Sequence, residues 1–112
     1  MSSETFDLYR LAQDYLEAGN PREAVATLDY ALRDLPEDRG LQRLQARALF
    51  AFASLGRAES LLRALLEDDP TDPELLALLA RTLLRGGRRD EAMAVDRLLQ
   101  AMGLEAASGA HV

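Results

Sequence analysis

The chain has 112 residues, 48% of them hydrophobic, and a formal net charge of −6, which suits a single globular domain. It contains no Cys or Trp, and all 13 of its basic residues are Arg. The lack of Cys excludes disulfides and thiolate metal sites, and the acidic balance disfavours nucleic acid and anionic membranes as partners. Because no apolar run is long enough to cross a membrane and the N-terminus lacks a signal-peptide pattern, we expect a cytoplasmic protein.

The first predicted unit is a pair of helices over about residues 5–38. Apolar residues recur at helical spacing from Phe6 to Tyr15, which predicts a helix that Ser3 caps and Gly19 ends. The run Asn20-Pro-Arg-Glu23 is typical of a second helix start, with an Asn cap, Pro at the first helical position and Glu closing a capping box. The second helix is expected to end near Pro36.

The second unit, about residues 39–72, has the least regular pattern. Its first helix is predicted over about Leu41–Ala53. Gly56 stands only two residues before Ala58, whereas Gly19 stands five residues before Ala24. This shorter spacing predicts a tightened turn at residues 54–57 and a short second helix over about residues 57–68.

The third unit, about residues 73–104, begins with a clear start signal. Asp72 is placed to cap a helix whose first residue is Pro73. A second helix is predicted over about Arg88–Met102. Residues 105–112 are small and polar, and we expect them to form a flexible tail.

A period of about 34 residues relates these units. Pro36 and Pro70 lie one such period apart, and Gly19 and Gly87 lie two periods apart. The Glu-Ala pair that follows each of these glycines also repeats after two periods. A helix pair cannot bury its apolar face alone, so three such units are expected to stack.

These residues resemble the tetratricopeptide repeat, a family with about 34 residues per unit and a fixed pattern of large, small, Gly and Pro positions. The first unit contributes Leu8, Leu11, Ala12, Tyr15, Gly19, Ala24, Ala31 and Pro36, the third contributes Leu76, Leu79, Ala80, Leu83, Gly87 and Ala92, and the middle one keeps Ala46, Ala58 and Pro70. Asp96 and Leu99 depart from the pattern. The use of Arg and Leu in place of Lys and Ile resembles small members of the family from GC-rich bacteria.

The resemblance implies an all-α fold, a right-handed superhelix of three helix pairs that form one domain over residues 1–104. It also implies a non-catalytic scaffold that holds a peptide or a partner helix in its concave groove. The residue types lead to the same expectation of no catalysis and no cofactor, since the lone His111 lies in the tail and no phosphate-binding loop is present. The acidic cluster at residues 67–74 fits either a calcium site or, as its prolines favour, a turn between units.

The resemblance places one set of residues on the concave groove. They are Phe6, Tyr9, Gln13, Leu16, Arg43, Arg47, Phe50, Arg81, Leu84 and Arg85. Arg43 and Arg47, like Arg81 and Arg85, stand four residues apart, so each pair shares a helix face where like charges favour an anionic partner. The groove could therefore bind a peptide with carboxylates and apolar groups. Alternatively, it is a solvated face whose Arg side chains pair with neighbouring acids, or a site for a small anionic metabolite.

The last predicted helix carries apolar residues that the rest of the chain leaves partly uncovered, and these are Val95, Leu98, Leu99 and Met102. Burying such side chains is favourable by about 1.5–3 kcal/mol each. They predict a homodimer, or docking of a partner, at this end. The alternative is a monomer whose exposed face is kept polar by Asp96, Arg97 and Gln100. A self-associating structural or assembly subunit is thus the second functional hypothesis, beside the interaction scaffold.

Overall fold

The computed structural model describes residues 3–103, which form six α-helices joined by short turns. They are α1 (Ser3–Glu17), α2 (Pro21–Asp34), α3 (Arg39–Ala51), α4 (Leu55–Asp68), α5 (Pro73–Arg85) and α6 (Arg89–Ala101). No strand occurs within these residues. The all-α fold of three consecutive helix pairs is therefore confirmed, whereas the predicted flexible tail at residues 105–112 lies outside the described residues.

The turn inside each helix pair has the same backbone conformation. Its central residue has a positive φ in all three pairs: 79° at Gly19, 61° at Ala53 and 80° at Gly87. In each case the next residue donates its N–H to a carbonyl five residues earlier, and these bonds are Asn20 to Tyr15, Ser54 to Leu49 and Arg88 to Leu83. The repeat period of the sequence therefore extends to the backbone of the turns.

The middle pair is as regular as the other two, so the tightened turn predicted at residues 54–57 is wrong. The turn is centred on Ala53, which adopts the left-handed conformation although it is not glycine. Gly56 lies inside the first turn of α4, and α4 has 14 residues, as many as α2. The sequence misled because Gly was taken as the marker of the turn, whereas here Ala occupies that position.

Two helix starts are capped by aspartate. The Asp38 and Asp72 carboxylates accept hydrogen bonds from the N–H groups of Leu41 and Leu75, at 2.9 and 3.0 Å. Both aspartates have the extended backbone that aims a cap at those N–H groups.

Two predicted caps are wrong. Asn20 occupies the cap position of α2 but makes no side-chain cap hydrogen bond, because its backbone (φ −116°, ψ 67°) is not extended. No capping box therefore forms there. Ser3 is the first residue of α1 itself, and so it is not a cap that precedes the helix.

The core consists of two clusters of buried side chains. The first lies among α1 to α4 and includes Ala12, Leu28, Leu41 and Leu49, while the second lies among α3 to α6 and includes Leu62, Leu75, Leu79, Leu83 and Ala92. Leu11, one of the apolar residues of the repeat pattern, is 41% exposed. Its counterparts Gln45 and Leu79 are 2% and 3% exposed, because in the second and third pairs a preceding pair packs against that position.

The first helices of the pairs form the inner face of the stack. α1 contacts α3, and α3 contacts α5, whereas no two of α2, α4 and α6 contact each other to that extent. A stack whose members lie closer together on one side curves toward that side. The face formed by α1, α3 and α5 is therefore the concave one.

Candidate functional site

The residues that we predicted for the concave groove all lie on α1, α3 and α5. Those most open to solvent are Phe6 and Leu84, which are 50% and 53% exposed, together with Arg47, Arg81 and Arg85. The remaining members are partly buried, and they are Tyr9, Gln13, Leu16, Arg43 and Phe50. Their role in binding a ligand stays a prediction.

Phe50 is the centre of an aromatic and cationic cluster on this face. The guanidinium carbons of Arg81 and Arg85 lie 4.8 and 4.9 Å from the centroid of its ring, within the range of favourable cation–π contact. Arg85 also donates a hydrogen bond to the carbonyl of Phe50, at 3.3 Å. These contacts join α3 to α5 and hold two positive charges over one ring.

Among the described residues, no acid neutralises the two arginines of this cluster or the nearby Arg47. Within residues 3–103, no carboxylate forms an ion pair with Arg47, Arg81 or Arg85. Arg47 and Arg81 line a cavity of about 270 Å³ between α3 and α5, whose apolar wall includes Leu75 and Leu78 and whose rim holds the ion pair of Arg43 with Glu74. The arrangement offers hydrogen-bond donors and positive charge beside an aromatic ring, which suits a carboxylate attached to an apolar group.

Arg43 differs from these three, because acids of the next helix pair already bind it. Its guanidinium lies 3.0 Å from Asp72 and 2.9 Å from Glu74, at the start of α5. The hydrogen bond with Asp72 contributes most to raising the pKa of Arg43. Burial acts to raise the pKa of Asp72, but hydrogen bonds from Arg43 and from the N–H of Leu75 outweigh it and lower that pKa. Arg43 thus connects two units and has little capacity for a ligand.

The acidic residues at 67–74 likewise bind groups of the same chain. Asp68 pairs with Arg39 at 2.7 Å, Asp72 caps α5, and Glu74 pairs with Arg43. Among the described residues, no group of three His, Cys, Asp or Glu side chains is placed to hold a metal ion. These carboxylates bind arginines and a helix start, as expected for a turn between units.

The first unit contributes a separate part of the concave face. Arg10 lies over the ring of Phe6, with its guanidinium carbon 5.9 Å from the ring centroid. Tyr9 and Leu16 pack against the first core cluster, so they are partly structural. The acidic residues of the chain are concentrated in this unit, since residues 1–38 contain nine acids and three arginines.

The end of the stack formed by α5 and α6 exposes apolar side chains. Among the residues predicted there, Leu98 is 44% exposed, while Val95, Leu99 and Met102 are partly buried. The prediction missed Met93, which is 48% exposed and lines a cavity of about 390 Å³ with Leu99. Comparison of equivalent repeat positions could have found it, because Met93 stands where the preceding unit has the ion-paired Glu59.

The fold and the groove together define an α-helical repeat protein in which consecutive helix pairs form a concave surface. Two family models described as tetratricopeptide repeat match the chain, one over residues 9–73 and the other over residues 49–107. The chain therefore belongs to the tetratricopeptide repeat family, whose repeats are generally protein–protein interaction modules and typically non-catalytic. None of the curated proteins compared with the chain matches it. No described helix is long and apolar enough to cross a membrane.

Proposed function

We propose that the concave face of the second and third helix pairs binds a peptide or a helix of a partner protein that carries carboxylates beside apolar side chains. The observation that carries this proposal is the cluster of Phe50 with Arg81 and Arg85, whose charges no described acid neutralises. A ligand carboxylate would accept charge-assisted hydrogen bonds from these arginines. Apolar side chains of the ligand would contact Phe50 and the exposed Leu84.

A merely solvated face is the alternative, and the grouping of two unpaired arginines over the ring of Phe50 favours a binding site instead. Arg39, Arg43, Arg57, Arg63 and Arg88 all bind acids of the same chain at 3.0 Å or less. Among the described residues, Arg47, Arg81 and Arg85 form no such pair although the chain has six more acids than bases, a property that they share with arginines outside the groove such as Arg22 and Arg33. Free positive charge in a concavity favours association with an acidic ligand, especially at low salt.

Calorimetric titration can test the proposal with a synthetic peptide of alternating Glu and Leu and a matched peptide of Gln and Leu. We expect the acidic peptide to bind more tightly, and the difference to shrink as salt is raised. The double variant Arg81→Gln/Arg85→Gln should lose at least about tenfold in affinity, since hydrogen bonds to charged groups are worth about 1.5–3 kcal/mol.

The matched control is Arg22→Gln/Arg33→Gln, which removes two exposed charges from α2. Arg33 lies over the ring of Tyr30 at 5.1 Å, so the control also removes a cation–π contact, but away from the concave face. Equal weakening by both double variants would show a general charge effect and would contradict the groove site. A free dicarboxylate that binds as tightly as the peptide would instead identify a small-molecule site. We expect the natural partner to be a cytoplasmic protein.

A further inference from the structure

The surface formed by α5 and α6 is equivalent to the surfaces that the first and second helix pairs bury under the next pair. Its cavity is lined by Ala80, Ala92 and Leu99. The residues one period earlier, Ala46, Ala58 and Leu65, are 0%, 0% and 2% exposed. α5 covers them where it packs on α3 and α4, just as α3 packs on α1 and α2. At the end of the stack, Ala80 and Ala92 are 7% and 4% exposed, so the apolar surface that α6 leaves open in this cavity consists chiefly of Met93, which is 48% exposed, and the partly buried Leu99. Because the surface of α5 and α6 presents residues at the same repeat positions as the surfaces that helices cover elsewhere in the molecule, it suits a helix as its ligand.

One residue of this surface is charged, although the equivalent residues of the other two units are apolar. Asp96 is exposed and lines the cavity, whereas its counterparts Leu28 and Leu62 are both 0% exposed. A helix that covered this surface with leucines alone would desolvate the Asp96 carboxylate without a partner, which is costly. Arg81 and Arg89 line the same cavity, but neither forms an ion pair with Asp96. An occupant that brings a positive charge or a strong hydrogen-bond donor to this point would offset the cost of desolvating the carboxylate.

A second copy of the chain that stacks head to tail on this end fails this requirement. Stacking of a second molecule in register would place its α1 on α5 and α6, as α3 and α5 are placed inside the molecule. α1 has Asp7 where α3 and α5 have the buried Leu41 and Leu75. Leu75 belongs to the same buried cluster as Leu62, the counterpart of Asp96. Stacking would thus bury two aspartates in one cluster.

We infer that this end of the stack is a docking site for an amphipathic helix of a partner protein, with an Arg or Lys inside its apolar stripe that faces Asp96. The apolar positions of the helix would contact Met93 and Leu99, since both line the cavity. Arg81 and Arg89 stand at the same cavity, so acids on the flanks of the helix would complete the fit. This surface shares Arg81 with the Phe50 cluster and Leu84 with the groove, but Met93, Asp96 and Leu99, which carry the inference, lie on α6 outside the groove.

Peptides copied from α5 can test this inference, because α5 is the helix that covers the equivalent surface of the preceding unit. The probes span residues 72–86 and so retain the Asp72 cap. Leu75, the counterpart of Asp7, is replaced by Arg in one probe and by Glu in the other. Each is titrated into the full ¹⁵N-labelled chain, and amide shifts are followed. We expect shifts at Ala80, Ala92 and Leu99, and binding of the Arg peptide about tenfold tighter than that of the Glu peptide.

The Asp96→Asn protein provides the thermodynamic cycle that isolates the charge pair. On this variant, the preference for the Arg peptide should disappear, while the amide shifts of both peptides stay on α5 and α6. A preference that persists unchanged would overturn the inference, as would shifts confined to the Phe50 cluster, or no shift with either peptide at millimolar concentration.

Two other possible occupants of this surface, a second copy of the chain and the chain's own C-terminal segment, would give different results. Sedimentation of the unmodified chain should show a monomer, and self-association that shifts amides on α6, with or without α1, would identify a second copy and contradict the inference. Deletion of residues 104–112 should leave the amides of Ala92 and Leu99 in place. If the deletion shifts them, the chain's own C-terminal segment covers the surface, and the proposed partner helix is wrong.

Discussion

Ala53 holds a conformation that costs an L-residue free energy. At its φ of 61°, the β-carbon approaches the following carbonyl, with a penalty of about 1–2 kcal/mol. Gly19 and Gly87 avoid this penalty at the equivalent positions of the other two turns. The neighbouring hydrogen bonds are nevertheless kept, since Ala53 and Ser54 donate to Phe50 and Leu49 at 2.9 and 2.8 Å. The packing of the middle pair therefore imposes the turn on a residue that disfavours it.

Ala53→Gly is expected to stabilise the protein. Relief of the left-handed strain exceeds the extra entropy that glycine gives the unfolded chain, which leaves a net gain of about 0.5–1 kcal/mol. Urea unfolding followed by circular dichroism measures the change. The matched control is Ala64→Gly at an exposed position inside α4, which should cost about 1 kcal/mol. A loss of stability in Ala53→Gly would show that the strain is smaller than the entropy cost.

The helix pairs are joined by ion pairs, and one network connects α4 with the start of α6. Glu59 accepts hydrogen bonds from Arg88 at 2.5 Å and from Arg63 at 2.9 Å, and Arg88 also binds Glu91 at 2.7 Å. The hydrogen bonds from Arg88 and then Arg63 lower the pKa of Glu59. Arg88 likewise lowers the pKa of Glu91. Because both carboxyls bind these arginines only when ionised, the network links the stability of the third helix pair to pH.

Glu59→Gln should make the stability less sensitive to acid. A carboxyl whose pKa is lowered by folding contributes stability that is complete above its unfolded pKa of about 4.3 and is lost as the pH falls through its folded pKa. The variant should thus be less stable than the parent at pH 7 and should lose less stability between about pH 5 and 3. Thermal unfolding across that range measures it.

The control for this prediction is Glu67→Gln, also on α4. Glu67 is exposed, and among the described residues no arginine pairs with it. The slope of stability against pH should be unchanged in this variant. Equal flattening in both variants would attribute the acid sensitivity to overall charge rather than to the network around Glu59.

The sequence predicts helix pairs well because the period, the turn glycines and the Asp72-Pro73 start are local signals. The sequence does not predict which arginines have an acidic partner and which have none. Arg43 and Arg81 both stand on the groove face, yet only Arg43 meets acids, since Asp72 and Glu74 lie across the interface at 3.0 and 2.9 Å. Such pairing depends on the relative placement of two helices, which no local pattern contains. The exposure of Leu11 likewise cannot be read from its position in the repeat, since its counterparts Gln45 and Leu79 are buried by the helix pair that packs against them.

At the scale of the whole molecule, stability comes from interfaces between adjacent units. The two core clusters lie around successive pairs and meet at Leu61, which packs against both. Each helix contacts its neighbours in the chain, and the described elements make no extensive contact between the first and third pairs. In such a stack, the free energy of unfolding is approximately a sum of unit and interface contributions. Local damage should therefore weaken one end of the stack more than the other.

Leu62→Ala and Leu28→Ala provide a matched test of this expectation. Both leucines are 0% exposed and occupy the same position in successive units, one in each cluster. Each substitution should cost about 2–5 kcal/mol in lost packing and cavity formation. Native-state hydrogen exchange should show that Leu62→Ala lowers the protection of amides in α5 and α6 more than in α1 and α2, and that Leu28→Ala does the reverse. The same loss of protection throughout both variants would show that the three pairs unfold as one cooperative unit, in which case the two clusters act as a single core.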